Sequence, residues 1–134
     1  MSFNNAKILR EARIKAEREI KAMVTVMGND ALNWFEESFR NQGFTDEGLV
    51  IWKGRQKRER EGRAILTKTG ALRRSLKKSN VGQYAVKITS NLPYANRHNE
   101  GLSKMPKRQF VGYSGKLNRS LIAKFDRKIK MIFG

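Results

Sequence analysis

The chain has 134 residues and a net charge of +17, with 31% charged residues, 39% hydrophobic residues and no cysteine. One domain with one real core is the expectation at this length, and the 12 aromatic residues argue against a disordered chain. Without cysteine there is no disulfide scaffold, no thiolate–zinc site and no cysteine nucleophile, which suits assembly in a reducing cytoplasm. No apolar run is long enough to span a bilayer, and Met1 to Arg10 has no signal-peptide core, so no membrane partner is expected.

About residues 1–42 read as one long helix. Ile20, Met23, Met27, Ala31, Trp34, Phe35 and Phe39 recur every three or four positions, while Arg13, Glu17, Arg18 and Lys21 fill the other faces. Gly28-Asn29-Asp30 could kink or break it, but the stripe keeps its phase across Gly28. Gln42-Gly43 is a plausible stop. About residues 43–64 read as a charged loop or arm with Trp52 as its anchor to the core. The stretch from Lys53 through Arg55, Lys57, Arg58 and Arg60 to Arg63 holds no apolar residue and cannot bury itself.

About residues 65–134 read as a sheet and a closing helix. Thr69 is a candidate N-cap for a short helical turn through Leu72 and Ser75. Tyr84, Val86 and Ile88 alternate with Ala85, Lys87 and Thr89 as in a half-buried strand, and Asn80–Gln83 is a turn that pairs it with Leu76–Ser79. Pro93 opens a short helix, Tyr94–Asn99, which Gly101 ends. Met105–Gly112 is irregular because Pro106 disfavours helix just before it. Ser114 introduces a final helix with an apolar edge of Leu117, Leu121, Phe125, Ile129 and Ile132. The expected class is α+β: a long N-terminal helix, a small antiparallel sheet with a hairpin, short helices and a C-terminal helix, in a single domain.

The charge is lopsided. Residues 1–61 hold 12 Lys/Arg against 10 Asp/Glu, whereas residues 62–134 hold 17 against only Glu100 and Asp126. Such a field attracts polyanions or an acidic protein surface. Catalytic signals are weak. His98 is the only histidine, and Glu100, two residues away, does not share its helical face. Ser75, Ser79 and Ser114 lie in no nucleophile elbow, and the glycines form no phosphate-binding loop. No catalytic, cofactor or metal residues are therefore assigned. One enzymatic alternative is a small basic RNase, or RNase-type toxin, recruiting Arg97, His98, Arg108 and Tyr113. A second alternative is a nucleic-acid-binding protein in which Tyr94, Phe110 and Tyr113 stack bases, although no helix-turn-helix, RNP-type strand or zinc knuckle is visible.

Three segments carry a resemblance. Ile65–Leu76, containing Thr69, Gly70, Leu72 and Ser75, is similar to an "iLvdTGxLrrSl" signature. Pro93–Gly101, containing Tyr94, Ala95, His98 and Gly101, is similar to "pYAxiHqxG". Met105–Gly112, containing Pro106, Arg108, Phe110 and Gly112, is similar to "iPaRpFlG". Their order and spacing resemble the phage virion morphogenesis (tail completion) family over about residues 30–130, with Glu100 and Gln109 departing from its pattern. The resemblance implies a non-enzymatic neck protein at the head–tail junction, made in the host cytoplasm. It would complete the tail or join tail to head, in a homo-oligomeric ring with a hexamer as the expected order, touching other neck, connector and tail proteins. Leu72, Leu76, Tyr94 and Phe110 are expected to maintain the fold. His98 could bond a backbone carbonyl, and Arg108 could pair with an acidic neighbour. The basic arm could order on a ring neighbour. The basic second half could meet DNA nonspecifically or an acidic partner. The expectation leans to the acidic partner, because a cationic lumen would retard passing DNA.

Overall fold

The computed structural model describes residues 5–54 and 70–133. Its first element, α1 (Asn5–Asn41), runs for 37 residues, about 55 Å at about 1.5 Å per residue. The apolar stripe explains its length: Ala16, Met23, Phe35 and Phe39 are buried along one side. Gly28 does not break the helix. A Cβ there would stand 2.7 Å from Val86 Cγ1 and 2.9 Å from Lys78 Cδ, so the missing side chain lets another element lie directly on the helix. The helix ends at Gln42, whose φ of 54° is left-handed and whose side-chain amide donates to Phe39 O at 2.6 Å.

The expected loop after α1 is in part a hairpin. Strands β1 (Gly43–Thr45) and β2 (Leu49–Ile51) pair antiparallel, with Phe44 opposite Val50. Three-residue strands leave little alternation to read, and Leu49, Val50 and Ile51 are all exposed. What holds the hairpin is Phe44, stacked on Phe35 at 6.4 Å, and the Trp34 indole N–H donating to Thr45 O at 3.3 Å. Trp52 is buried, as its anchoring role required.

The short helix α2 (Ala71–Ser75) leads straight into β3 (Leu76–Val81), which pairs antiparallel with β4 (Ala85–Ser90). The expected hairpin is present, but its first strand runs two residues further, to Val81, and its second begins one residue later, at Ala85, so Tyr84 lies in the turn and is exposed instead of facing inward from a strand. Leu76, Val86 and Ile88 face α1, and Lys77, Lys87 and Thr89 face out. Helix α3 (Ala95–Glu100) follows. It closes on Gly101 at φ 71°, where a Cβ would meet the Lys107 backbone at 3.0 Å. Residues 105–110 have no regular structure, as Pro106 suggested.

The last helix, α4 (Gly115–Phe133), is capped from two sides. Ser114 Oγ accepts from Leu117 N at 3.2 Å, and the Asp46 carboxylate in the β1–β2 turn accepts from Gly115 N at 2.7 Å. Leu117 is buried, and Leu121, Phe125, Ile129 and Ile132 are half-buried. Lys124 pairs with Asp30 and Lys128 with Glu19, so α4 runs antiparallel to α1. The first turns of α1 reach past these contacts, with Ile8 and Leu9 59% and 69% exposed.

Every layer meets in one core of Phe35, Phe39, Phe44, Trp52, Leu72, Leu76, Ala95, Phe110 and Leu117. Phe39 is its centre, with Trp52 edge-on at 5.7 Å and Phe110 tilted at 5.3 Å. The architecture is α+β, with two small antiparallel sheets instead of one. No helix among the described residues is long and apolar enough to cross a membrane.

Candidate functional site

The described parts of the three motif segments meet in the core that contains Phe39, through Leu72, Leu76, Ala95 and Phe110. Gly70 takes the N-cap position of α2 at φ 67°, without a side-chain cap bond, and Thr69 lies outside the described residues. Leu72 and Ala95 are buried in the core. Ser75 Oγ donates to Leu72 O and shares a 2.6 Å hydrogen bond with Ser90 Oγ, which fastens α2 to β4. The hydroxyl that sequence could only place on a turn is therefore a rivet between two elements. It is not poised beside a base.

The irregular segment 105–112 has no sheet or helix partner, yet its backbone groups are met one by one. Arg108 N donates to His98 O at 2.8 Å. The Asn99 side-chain oxygen accepts from both Phe110 N at 2.9 Å and Val111 N at 3.0 Å. Trp52 Nε1 donates to Gln109 O at 2.7 Å, and Ser38 Oγ donates to Phe110 O at 3.3 Å. Buried backbone polar groups must find partners, so these side chains are what allow an irregular strip to cross the core. Phe110 is 2% exposed, Pro106 is half-buried, and Gly112 ends the strip.

Asn99 and Ser38 were not singled out from sequence. A signal existed for each. Asn99 lies four residues after Ala95 and so shares its inward face. Ser38 lies three residues after Phe35 on the apolar side of α1.

Arg108 is 6% exposed. Its Nε donates to Lys53 O at 3.2 Å and a terminal nitrogen to Gly54 O at 3.4 Å. The root of the basic arm is thus held by its main chain, and the Lys53 side chain is exposed. Arg55, Lys57, Arg58, Arg60 and Arg63 lie outside the described residues. His98 stands edge-on to the exposed Tyr94 ring at 6.0 Å. Its main-chain oxygen is used by Arg108, but the expected side-chain bond to a carbonyl is not made by Nδ1, which is buried with no partner among the described residues. Burial, reinforced by the Arg108 guanidinium, pushes the His98 imidazole below its ordinary value near 6.5, so the ring is neutral at pH 7.

The surrounding hollows hold little for chemistry. One of about 200 Å³, bordered by Leu76, Ser90, Leu92, Asn99 and Phe110, has no titratable side chain in its lining. Another of about 290 Å³, beside β1–β2, includes Asp46, Lys107 and Tyr113, but the Asp46 carboxylate is committed to the start of α4. Among the described residues no group of His, Asp or Glu could hold a metal ion. Among the described residues the arrangement fastens segments to one another and places no acid, base and nucleophile together.

Comparison with known families gives a match to the phage virion morphogenesis family over residues 5–129. The chain belongs to that family. The match covers α1 through most of α4 and includes all three motif segments. No curated protein and no solved structure matches the chain. As a member of a virion morphogenesis family, the protein serves in assembling a phage virion, in association with other virion proteins.

Proposed function

We propose that the chain is a structural, non-enzymatic neck protein that completes the tail or joins it to the head, acting as a subunit of a ring, with six copies as the expected order. The observation that carries this reading is the way the motif residues and the anchor Trp52 are spent. Ser75, Asn99, Arg108 and Trp52 tie α2, β4, α3, the 105–112 strip and the arm root to one another. That is what an assembly subunit needs: a rigid block from which connecting segments emerge at fixed points. The basic arm leaves this block at Lys53 and Gly54 and contacts neck, connector or tail neighbours at the head–tail junction.

Two further surfaces support subunit contacts. Leu49, Val50 and Ile51 are exposed on an edge strand at one end of α1, and Ile8 and Leu9 are exposed at the other. Apolar patches at opposite ends suit heterologous contacts, which close into a ring when the rotation permits. The test is imaging of particles made without this gene. Filled heads lacking tails, or tails with aberrant ends, are expected; intact infectious particles would reject the proposal.

A further inference from the structure

The basic second half divides into two surfaces that the sequence could not tell apart. On α4, Arg119 pairs with Glu47, Lys124 with Asp30, Lys128 with Glu19 and Lys130 with Asp126. The β3–β4 hairpin has no such neutralisation. From Gly62 to Asn99 the chain contains no acidic residue. Among the described residues no ion pair involves Arg73, Lys77, Lys87 or Arg97.

Register organises these cations. Lys77 lies opposite Thr89 and Ser79 opposite Lys87, and all four are exposed. The other face of the same hairpin is closed by α1, through Val86 at Gly28. The outer face is therefore a small checkerboard of ammonium and hydroxyl groups, with exposed Arg73 at its root.

We propose that this outer hairpin face binds the phosphate backbone of duplex DNA. Lysines and hydroxyl side chains are the groups that contact phosphates, whereas the cores of protein interfaces are depleted in Lys and Ser and enriched in aromatics and Met. Only Val81 and Ala85 supply apolar groups to this face, and Tyr84 is the only aromatic of residues 76–90. That composition favours DNA over the acidic protein partner expected on the ground that a cationic lumen would retard passing DNA. It also favours duplex over single strand, which wants a row of stacking rings. With its inner face against α1, the hairpin lies along the backbone and does not enter a groove. Its contacts are therefore independent of base sequence. This inference does not depend on the neck reading.

The test is titration of the full chain with a fluorescent duplex at several salt concentrations, alongside oligo-dT of equal length. Unsubstituted protein should bind the duplex more tightly than oligo-dT, with affinity falling as salt rises. The double variant Lys77→Gln/Lys87→Gln should weaken binding to every duplex alike and flatten the log–log salt slope by about 2, about 1 per lost phosphate contact. The charge-matched variant Arg119→Gln/Lys130→Gln on α4, where both cations are already paired, should leave the slope nearly unchanged. Equal effects of the two doubles would reduce the attraction to net charge and overturn the proposal, as would preference for oligo-dT. Unaltered DNA binding by the hairpin double, with loss of its incorporation into virions, would assign the face to an acidic protein instead. Circular dichroism of each variant separates these outcomes from unfolding.

Discussion

Helix α4 and the β3–β4 hairpin lie against the same long helix and come from the same strongly basic half of the chain, yet they use their charge in different ways. Acids of α1, of the β1–β2 turn and of α4 itself meet four of the six α4 cations, Arg119, Lys124, Lys128 and Lys130. The hairpin meets α1 where that helix offers glycine and apolar groups, so the Lys78 stem packs at Gly28 while Lys77 and Lys87 stay turned to solvent. Net charge is therefore a poor guide to function until the positions of the acids are known. The same residue type can stabilise an internal helix pair or present an external field.

The largest expected effect tests α4 as part of the core. Leu117→Ala should cost about 2–5 kcal/mol in urea unfolding, as for other buried leucines. Ile88→Ala on the half-buried hairpin face should cost less, about 1–2 kcal/mol. Equal costs would erase the distinction between the two elements. Next comes the seat of the hairpin on α1. Gly28→Leu should destabilise by about 1–3 kcal/mol, because its side chain must displace Val86 and Lys78. A stabilised variant would mean that helix propensity outweighs this contact. Ser114→Ala should cost about 1 kcal/mol by removing one cap of α4, and Asp46 limits the loss.

Smaller effects sharpen the electrostatic contrast. Lys128→Met should have only a small cost, shrinking as salt is added, since a half-exposed pair is still screened by solvent. Lys77→Gln should leave stability within about 0.5 kcal/mol. A larger loss would show that the hairpin cation has a structural partner. The last effect concerns His98. Its folded value is lowered, so on acidification the unfolded chain takes up the proton first. Stability should be level above about pH 6.5 and fall as pH drops below it, through the lowered folded value. His98→Asn should flatten that part of the profile, followed by thermal melts at closely spaced pH.

Much of the skeleton was legible in the residues alone. A stripe of period 3.6 marks α1 and α4 because helix burial repeats with the helix turn, and Gly101 marks the end of α3 because a left-handed residue suits its C-cap. The alternation of Val86 and Ile88 showed the second hairpin, although Tyr84 was placed in the strand when the turn claims it. The order of the three motifs, resting on chemistry at particular positions, pointed to the family that the match over residues 5–129 establishes. The tertiary structure decided what depends on segments far apart in the chain. Strands β1 and β2 hold through Phe44, Trp34 and the start of α4, contacts that no window of three residues can show. Gly28 read as a doubtful break and proved to be a contact with Val86, 58 positions away. Asn99 and Ser38 satisfy the backbone of a strip whose path no local propensity predicts. The charge asymmetry was plain in the sequence. Which cations were neutralised was not, because a Coulomb pair depends on distance in space and not on distance along the chain.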